Sequence, residues 1–404
     1  MDVLLICNYW HFEFEKQSSR YRTMADMLSQ NDDIELEVVS STFRHQTKTQ
    51  RDLEYIKSVH TPYKVTLLRE PGYKKNVSLR RLYSHHHFAK EVMRYLKARK
   101  KPDVIICSVP SLAVGSAVTK FAEKNSIKVV IDIQDLWPEA FKMALSIPVI
   151  SDIAFFPMMV QANRIYARAD KIMAVSETYV KRGLQCNKKD SEGFPLLIGT
   201  DSELVNQATT GIEIDKPKDE FWIGYAGALG YSYDIRSVID AIGFLNREGY
   251  DNIVFKIMGD GVLAEEFKHY AESQNTHCDF MGFLPYGQMM ATLKKCDAAV
   301  NPIVEKSVSS IINKVSDYAM AGIPVINTQN SPEYRALIEK YDCGINCENG
   351  DSHAMAQAMK SLLENEALRL EMSTNSQKLG EEKFDRMRTY PGVVELVRKV
   401  VGET

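Results

Sequence analysis

Lys314 and Asp317 stand three residues apart, a spacing that puts an ammonium and a carboxylate on one helix face. A cation for phosphate and a carboxylate for the paired hydroxyls of ribose is the chemistry a nucleotide needs. Ser307 to Ser310 form a polar loop just upstream, and a helix is predicted to begin near Ser310. The free amides and partial positive charge of such a helix start suit a phosphate. Gly224-Tyr225-Ala226-Gly227-Ala228-Leu229-Gly230 follows a strand-like run, and its glycines allow backbone amides to approach a diphosphate closely. Gly259-Asp260-Gly261 and Gly282-Phe283-Leu284-Pro285 repeat this strand-to-turn pattern. In open α/β sheets ligands collect at the carboxyl ends of such strands. Three corners of this kind predict a nucleotide-type ligand in the second half of the chain.

The elements that position these corners alternate between strand and helix. In the first half, strands are expected at Val3–Cys7, Leu36–Ser40, Asp103–Ser108, Lys128–Ile133 and Lys171–Val175, with Ser176 as the N-cap of a helix. Residues 43–80 are polar and basic without a clear period and read as an excursion from the sheet. Periodicity fails between Gly183 and Glu220, which marks a linker. The pattern restarts at Phe221–Tyr225 and continues through 253–258, 279–281, 298–301, 324–327 and 344–346, with helices between. The expected fold class is α/β, with two Rossmann-like doubly wound domains and a cleft between them.

At 404 residues the chain exceeds one ordinary core, and 45% hydrophobic with 25% charged residues is a globular composition. Seven cysteines without paired spacing predict free thiols in a reducing cytoplasm. The acidic, short apolar start is no signal peptide, and Pro148, Asp152 and Pro157 interrupt the longest apolar stretch, Met143 to Val160. A cytoplasmic protein is expected, attached to a membrane at most from the side. The net charge of −3 hides twelve Lys/Arg against two Asp/Glu between Lys64 and Lys101. That run suits an anionic lipid surface better than nucleic acid, for which no recognition module is present. The turn after the first strand, Asn8-Tyr9-Trp10-His11, lacks Gly-x-Gly-x-x-Gly and argues against a nicotinamide-dependent oxidoreductase.

The ordered set Gly-Tyr-Ala-Gly, Met-Gly-Asp-Gly, Met-Gly-Phe-Leu-Pro, Cys296-Asp297-Ala298-Ala299-Val300-Asn301-Pro302 and Asn313-Lys314 through Asp317-Tyr318-Ala319-Met320-Ala321-Gly322-Ile323-Pro324 resembles the retaining GT-B glycosyltransferases of family 4. Asp132-Ile133-Gln134-Asp135-Leu136-Trp137-Pro138-Glu139 is similar to a block of members that build bacterial surface polysaccharides. The resemblance implies a transfer, with retained configuration, from a nucleotide-sugar donor, UDP-linked by expectation, to a saccharide or diphospholipid-linked acceptor. It implies an acceptor domain at 1–200, a donor domain at 201–375 and a helical tail, 376–404, crossing back to the first domain. The Gly227 loop, Gly259 and the helix start at Ser309, Ser310, Asn313 and Lys314 would hold the donor diphosphate. Asp317 would bind ribose, and Gly282, Phe283 and Leu284 would border the base. Asp135 and Glu139 would act at the acceptor or the transferred sugar, with Lys314 as the catalytic cation.

The chain departs from this family at named positions. Ser309 stands where the first acid of a Glu-x7-Glu signature is usual, Asp317 where the second Glu is, Ala228 where Arg is usual, and Ser232/Tyr233 where Lys is expected. Arg20, Arg22 or Lys314 is expected to restore the missing positive charge. No Asp-x-Asp pair sits on a suitable loop, so neither metal nor cofactor is expected, and helix dipole and Lys314 would stabilise the leaving diphosphate. A nucleotide-sugar 2-epimerase and a non-catalytic nucleotide-sugar-binding protein are the alternative readings.

Overall fold

The computed structural model describes residues 1–15, 19–144, 148–190, 192–304 and 311–402. The chain divides into two compact units, unit 1 formed by Met1–Leu197 with Tyr390–Thr404, and unit 2 formed by Ile198–Thr389.

Unit 1 is built on strands β1 (Asp2–Ile6), β2 (Glu35–Ser41), a small antiparallel hairpin β3 (Phe43–Arg44) and β4 (Thr49–Gln50), β5 (Lys64–Leu68), β6 (Val104–Val109), β7 (Lys128–Ile133), β8 (Lys171–Ala174) and β9 (Phe194–Pro195). Seven of these form a parallel sheet in the order β5-β2-β1-β6-β7-β8-β9. Every residue of β6, Val-Ile-Ile-Cys-Ser-Val, is buried, as a central parallel strand covered on both faces requires. Its apolar side chains each contribute about 1.5–3 kcal/mol on leaving water. Helices Leu79–Ala98, Leu112–Asn125 and Pro148–Arg168 pack in series, with the second between the other two. The last helix, Pro391–Gly402, packs on helix Arg20–Ser29 and against β6 and β7. Ser176 caps its helix as expected, its hydroxyl accepting the Tyr179 N–H at 3.1 Å.

Unit 2 carries β10 (Phe221–Ala226), β11 (Ile253–Met258), β12 (Cys278–Gly282), β13 (Ala298–Asn301), β14 (Val325–Asn327) and β15 (Gly344–Asn346). They form a parallel sheet in the order β12-β11-β10-β13-β14-β15. The order reverses between β10 and β13 here and between β1 and β6 in unit 1. Such switch points leave a crevice at the carboxyl ends of the two strands.

Two sequence expectations are corrected by the fold. The 43–80 excursion contains the hairpin β3–β4, a short helix Leu53–Lys57 and the edge strand β5. Strand β5 reads Lys-Val-Thr-Leu-Leu and is only half-buried, so it lacks the apolar signature of its interior neighbours. The 183–220 stretch holds β9 and a helix, Ser202–Thr209, capped by Asp201 through the Leu204 N–H. Residues 376–389 belong to unit 2 and residues 390–404 to unit 1.

Candidate functional site

In unit 2 the switch point places the loop after β10 beside the segment after β13. Gly227, which opens that loop, has φ +150°, and a Cβ built on it would lie 2.7 Å from the Lys314 ammonium nitrogen. A Cβ on Gly259 would meet the Gly227 carbonyl at 1.7 Å, so the two turns can touch backbone to backbone only as glycines. The Gly227 N–H donates to Met258 O at 3.0 Å and the Leu229 N–H to Asp260 O at 2.9 Å, fixing one turn on the other. Gly227, Gly259 and Lys314 are therefore brought together.

Lys314 lies in the first turn of helix Asn313–Ala321, whose N-terminus has no side-chain cap. Its Nζ sits 4.0 Å from the Tyr225 ring centre and 3.8 Å from that of Tyr233. The side chain is only 9% exposed, and its nitrogen has no hydrogen-bond partner among the described residues. Burial pushes its pKa well below the ordinary value. The two rings return part of that penalty, up to about 2 kcal/mol each, but burial dominates. The site thus contains a nearly enclosed cation, with two aromatic neighbours, that has no anion beside it among the described residues.

Asp317, on the same helix, directs its carboxylate elsewhere. Its Oδ1 accepts the Thr200 hydroxyl at 3.0 Å and the Tyr286 hydroxyl at 3.0 Å. Burial raises its pKa to about 6, against the lowering effect of those two bonds and of Arg386. A carboxyl whose folded pKa lies above its ordinary 3.8 binds more protons folded than unfolded between the two values, so stability falls as pH rises through that window. Asp317→Asn keeps a carbonyl acceptor for both hydroxyls and removes the ionisation. Its thermal midpoint should gain on the parent's above the window and match it below, measured by melts at both ends.

Gly282 ends the edge strand β12 with φ +66°, and Phe283 beyond it is 87% exposed, with Leu284 half-buried. Asn313 is exposed at the helix start, whereas Ser309 and Ser310 lie outside the described residues.

In unit 1, the Asp135 carboxylate accepts the Trp137 indole N–H at 3.1 Å, and burial raises its pKa. Glu139 is engaged in an ion pair, accepting the Arg182 Nε–H at 2.6 Å while Arg182 also donates to Asn163 at 2.8 Å. Arg20, expected as a source of free positive charge, is buried against Asp132 at 3.3 Å, which also accepts Tyr21 and Gln134. Its charge is already matched, because a buried guanidinium needs a buried anion.

Sequence reasoning passed over three sets of residues. Tyr225 and Tyr233 flank Lys314, and Tyr233 occupies a position where the resemblance expects Lys; an aromatic in a cation's place was the available signal. Thr200 and Tyr286 hold Asp317 from distant segments, and nothing in the sequence marks them. Asn301, Asn327 and Asn346, paired in register at the ends of β13, β14 and β15, form a side-chain amide ladder, with Nδ2 of Asn301 donating to Asn327 at 2.8 Å and Nδ2 of Asn327 to Asn346 at 2.9 Å. Three strands each ending in asparagine is a legible pattern. Among the described residues no group of three or more His, Cys, Asp or Glu side chains is placed to hold a metal ion, and all seven cysteines are free.

Residues 209–379 match the family model described as glycosyl transferases group 1, a segment wholly inside unit 2. No curated protein matches the chain in sequence. Among solved structures, HepE of Anabaena in complex with UDP superposes with a TM-score of 0.66 at 14% identity, covering 99% of this chain and 100% of that one. Sucrose-phosphate synthase of Thermosynechococcus elongatus gives 0.71 at 13% identity, with both chains fully covered. A putative UDP-N-acetylglucosamine 2-epimerase of Listeria monocytogenes gives 0.62 at 12% identity, covering 100% of this chain and 97% of its own. At these identities the likeness shows the fold, which is GT-B. Because a named epimerase shares it, fold alone does not separate transfer from epimerisation.

Proposed function

We infer that the protein is a glycosyltransferase that moves a hexosyl or N-acetylhexosaminyl group from a UDP-linked donor to a saccharide or diphospholipid-linked acceptor, with retention of configuration. One observation carries this reading: the Lys314 ammonium lies between two tyrosine rings, without a partner among the described residues, against a glycine loop and in the first turn of an uncapped helix. A diphosphate supplies the missing anion, and the charge that grows on it as the sugar leaves is what a fixed cation stabilises. The group 1 match over 209–379 supports the same reading, because it covers this loop and this helix. Lys314 also answers the absence of the usual basic residues at Ala228 and Ser232/Tyr233, since its nitrogen reaches the Gly227 loop from a later helix.

In this reading unit 2 serves the donor, with the Asp317 carboxylate assigned to ribose and the exposed Phe283 ring to the base. Unit 1 serves the acceptor, whose hydroxyl loses a proton as its oxygen bonds the sugar's anomeric carbon and the bond to the diphosphate breaks. Asp135, with its raised pKa, is the acid–base group there. The reaction belongs to bacterial surface polysaccharide assembly, carried out in the cytoplasm beside the inner face of the plasma membrane. No helix among the described residues is long and apolar enough to cross a membrane. Support for surface attachment comes from Leu79, Leu82 and Tyr83, exposed on the helix that also carries Lys90, Arg94 and Lys97, and from Ile153 and Phe156 on Pro148–Arg168.

The test incubates the full chain with UDP-, GDP- and ADP-sugars and a short-chain prenyl diphosphate-linked monosaccharide, following the glycosylated product by mass spectrometry. Product from a UDP-sugar is expected, together with co-flotation of the chain with anionic but not neutral vesicles. Tight UDP-sugar binding without product or hydrolysis would instead establish a binding protein, and release of an epimerised sugar an epimerase.

A further inference from the structure

Unit 1 contains a groove of about 550 Å³ between the β3–β4 hairpin and the loop leading into helix Leu79–Ala98. Lys48, Lys74, Lys75 and Arg80 line it, over the rings of Phe43 and Tyr73. No Asp or Glu lines it, and none of the four cations has an ion-pair partner among the described residues. Glu70, four residues before Lys74, is turned inward; it is 3% exposed, accepts the Ser84 hydroxyl at 2.8 Å, and has its pKa raised by burial. Three buried or half-buried cations of this unit are matched by acids, Arg20 by Asp132, Arg51 by Glu15 and Arg99 by Asp2. Four unmatched cations in one concavity repel one another, a cost that a bound polyanion removes.

The groove is also shaped by fixed groups. Lys48 holds a left-handed backbone, φ +58°, and spans from the hairpin to the opposite loop through its ammonium, which donates to His45 O at 2.5 Å and Asn76 Oδ1 at 2.6 Å. Both acceptors are neutral, so the ammonium is positioned with its charge uncompensated. Lys48 also lies 5.0 Å from the Tyr73 ring centre. Tyr73 meets His85 edge-on at 5.8 Å, and His85 stacks on Trp137 at 5.8 Å. Trp137 is the ring whose N–H donates to Asp135. Two ring contacts thus connect the groove to the tryptophan beside the acid–base carboxylate.

We propose that this groove binds a phosphate or diphosphate ester carried by the acceptor, seating the anion on Lys48, Lys74, Lys75 and Arg80. This rests on the glycosyltransferase reading for the acceptor's role, while the groove's affinity for phosphate is independent of it. Specificity follows: the enzyme takes sugars that bear a phosphate handle and discriminates against the same sugars without one.

The experiment uses the full chain and the triple variant Lys74→Ser/Lys75→Ser/Arg80→Ser, whose sites are all exposed. A charge-retaining control carries Lys74→Arg, Lys75→Arg and Arg80→Lys. Transfer is measured to three probes: the prenyl diphosphate-linked monosaccharide, the soluble 1-phosphate of the same sugar glycosylated by an added sugar, and its neutral alkyl glycoside. For the diphosphate probe the triple variant should raise KM about tenfold or more with kcat little changed, and the control should stay near the parent. Use of the prenyl probe alone assigns the lipid-linked source, and use of both phosphorylated probes assigns the phosphate itself. In parallel, inorganic pyrophosphate is titrated calorimetrically at low salt into Lys314→Met, with and without the triple variant. Binding lost with the triple variant supports the groove even where no sugar is transferred, which would sink the enzyme reading alone. An unchanged isotherm, an unchanged KM or equal use of the alkyl glycoside overturns the proposal.

Discussion

Replacing Lys314 with Met should raise the thermal stability of the protein while abolishing its use of a sugar nucleotide. Met keeps nearly the same volume, fills the space between Tyr225 and Tyr233, and removes an ammonium that is almost fully buried with no anion beside it among the described residues. Relief of that desolvation is worth about 1 kcal/mol or more, roughly 2–4 °C in a domain of this size. The sign of the pH dependence follows from the lowered pKa. Between the folded value and the ordinary one, the unfolded chain binds the extra proton, so parental stability rises with pH across that window, and the variant lacks this rise. Transfer, in contrast, should fall at least about a hundredfold, the usual loss when one fixed donor to developing negative charge is removed. Calorimetric melts and UDP titration on the same preparation check both halves. A variant that is less stable and still binds UDP normally would show Lys314 to be a packing residue.

Asp135→Asn should leave UDP affinity unchanged and cut transfer by about 10²–10⁴, the range for loss of a positioned acid or base. Asparagine retains an acceptor for the Trp137 N–H, so the local hydrogen bond survives the exchange. Burial raises the Asp135 pKa, which places the acidic limb of the parent's rate profile above the ordinary carboxylate range. That limb should be absent from the residual activity of the variant. Comparison with Glu139→Gln is informative because Glu139 is bound to Arg182. Its loss should appear as lowered stability, since it strands a guanidinium that also anchors Asn163.

How much of this was legible depends on how local the information is. Interior parallel strands such as β6, β7, β10 and β11 are covered on both faces and announce themselves as apolar runs. Strand β5 lies at an edge, pairs with β2 on one side and carries Lys64 and Thr66, so its residues resemble loop. The glycine corners were legible because contact between two backbones admits only one residue type, as Gly259 against Gly227 demonstrates. Lys314 was legible as a cation at a helix start. The environment that makes it informative, two tyrosines from the other side of the switch point, is a tertiary fact. Asp317 shows the same limit from the opposite direction. Its spacing from Lys314 predicts a shared task, yet Thr200, more than a hundred positions earlier, captures one carboxylate oxygen.

Unit 2 is spliced into unit 1, since the chain leaves after Leu197 and re-enters at Tyr390. On the ribosome, residues 198–389 are therefore complete before the first unit receives its closing helix, Pro391–Gly402. The later-made lobe can mature first, while the earlier-made one waits with β6, β7 and the helix Arg20–Ser29 partly uncovered. A stop codon or a proteolytic cut just before Pro391 would accordingly injure the amino-terminal lobe, far away in sequence, and spare the lobe beside it.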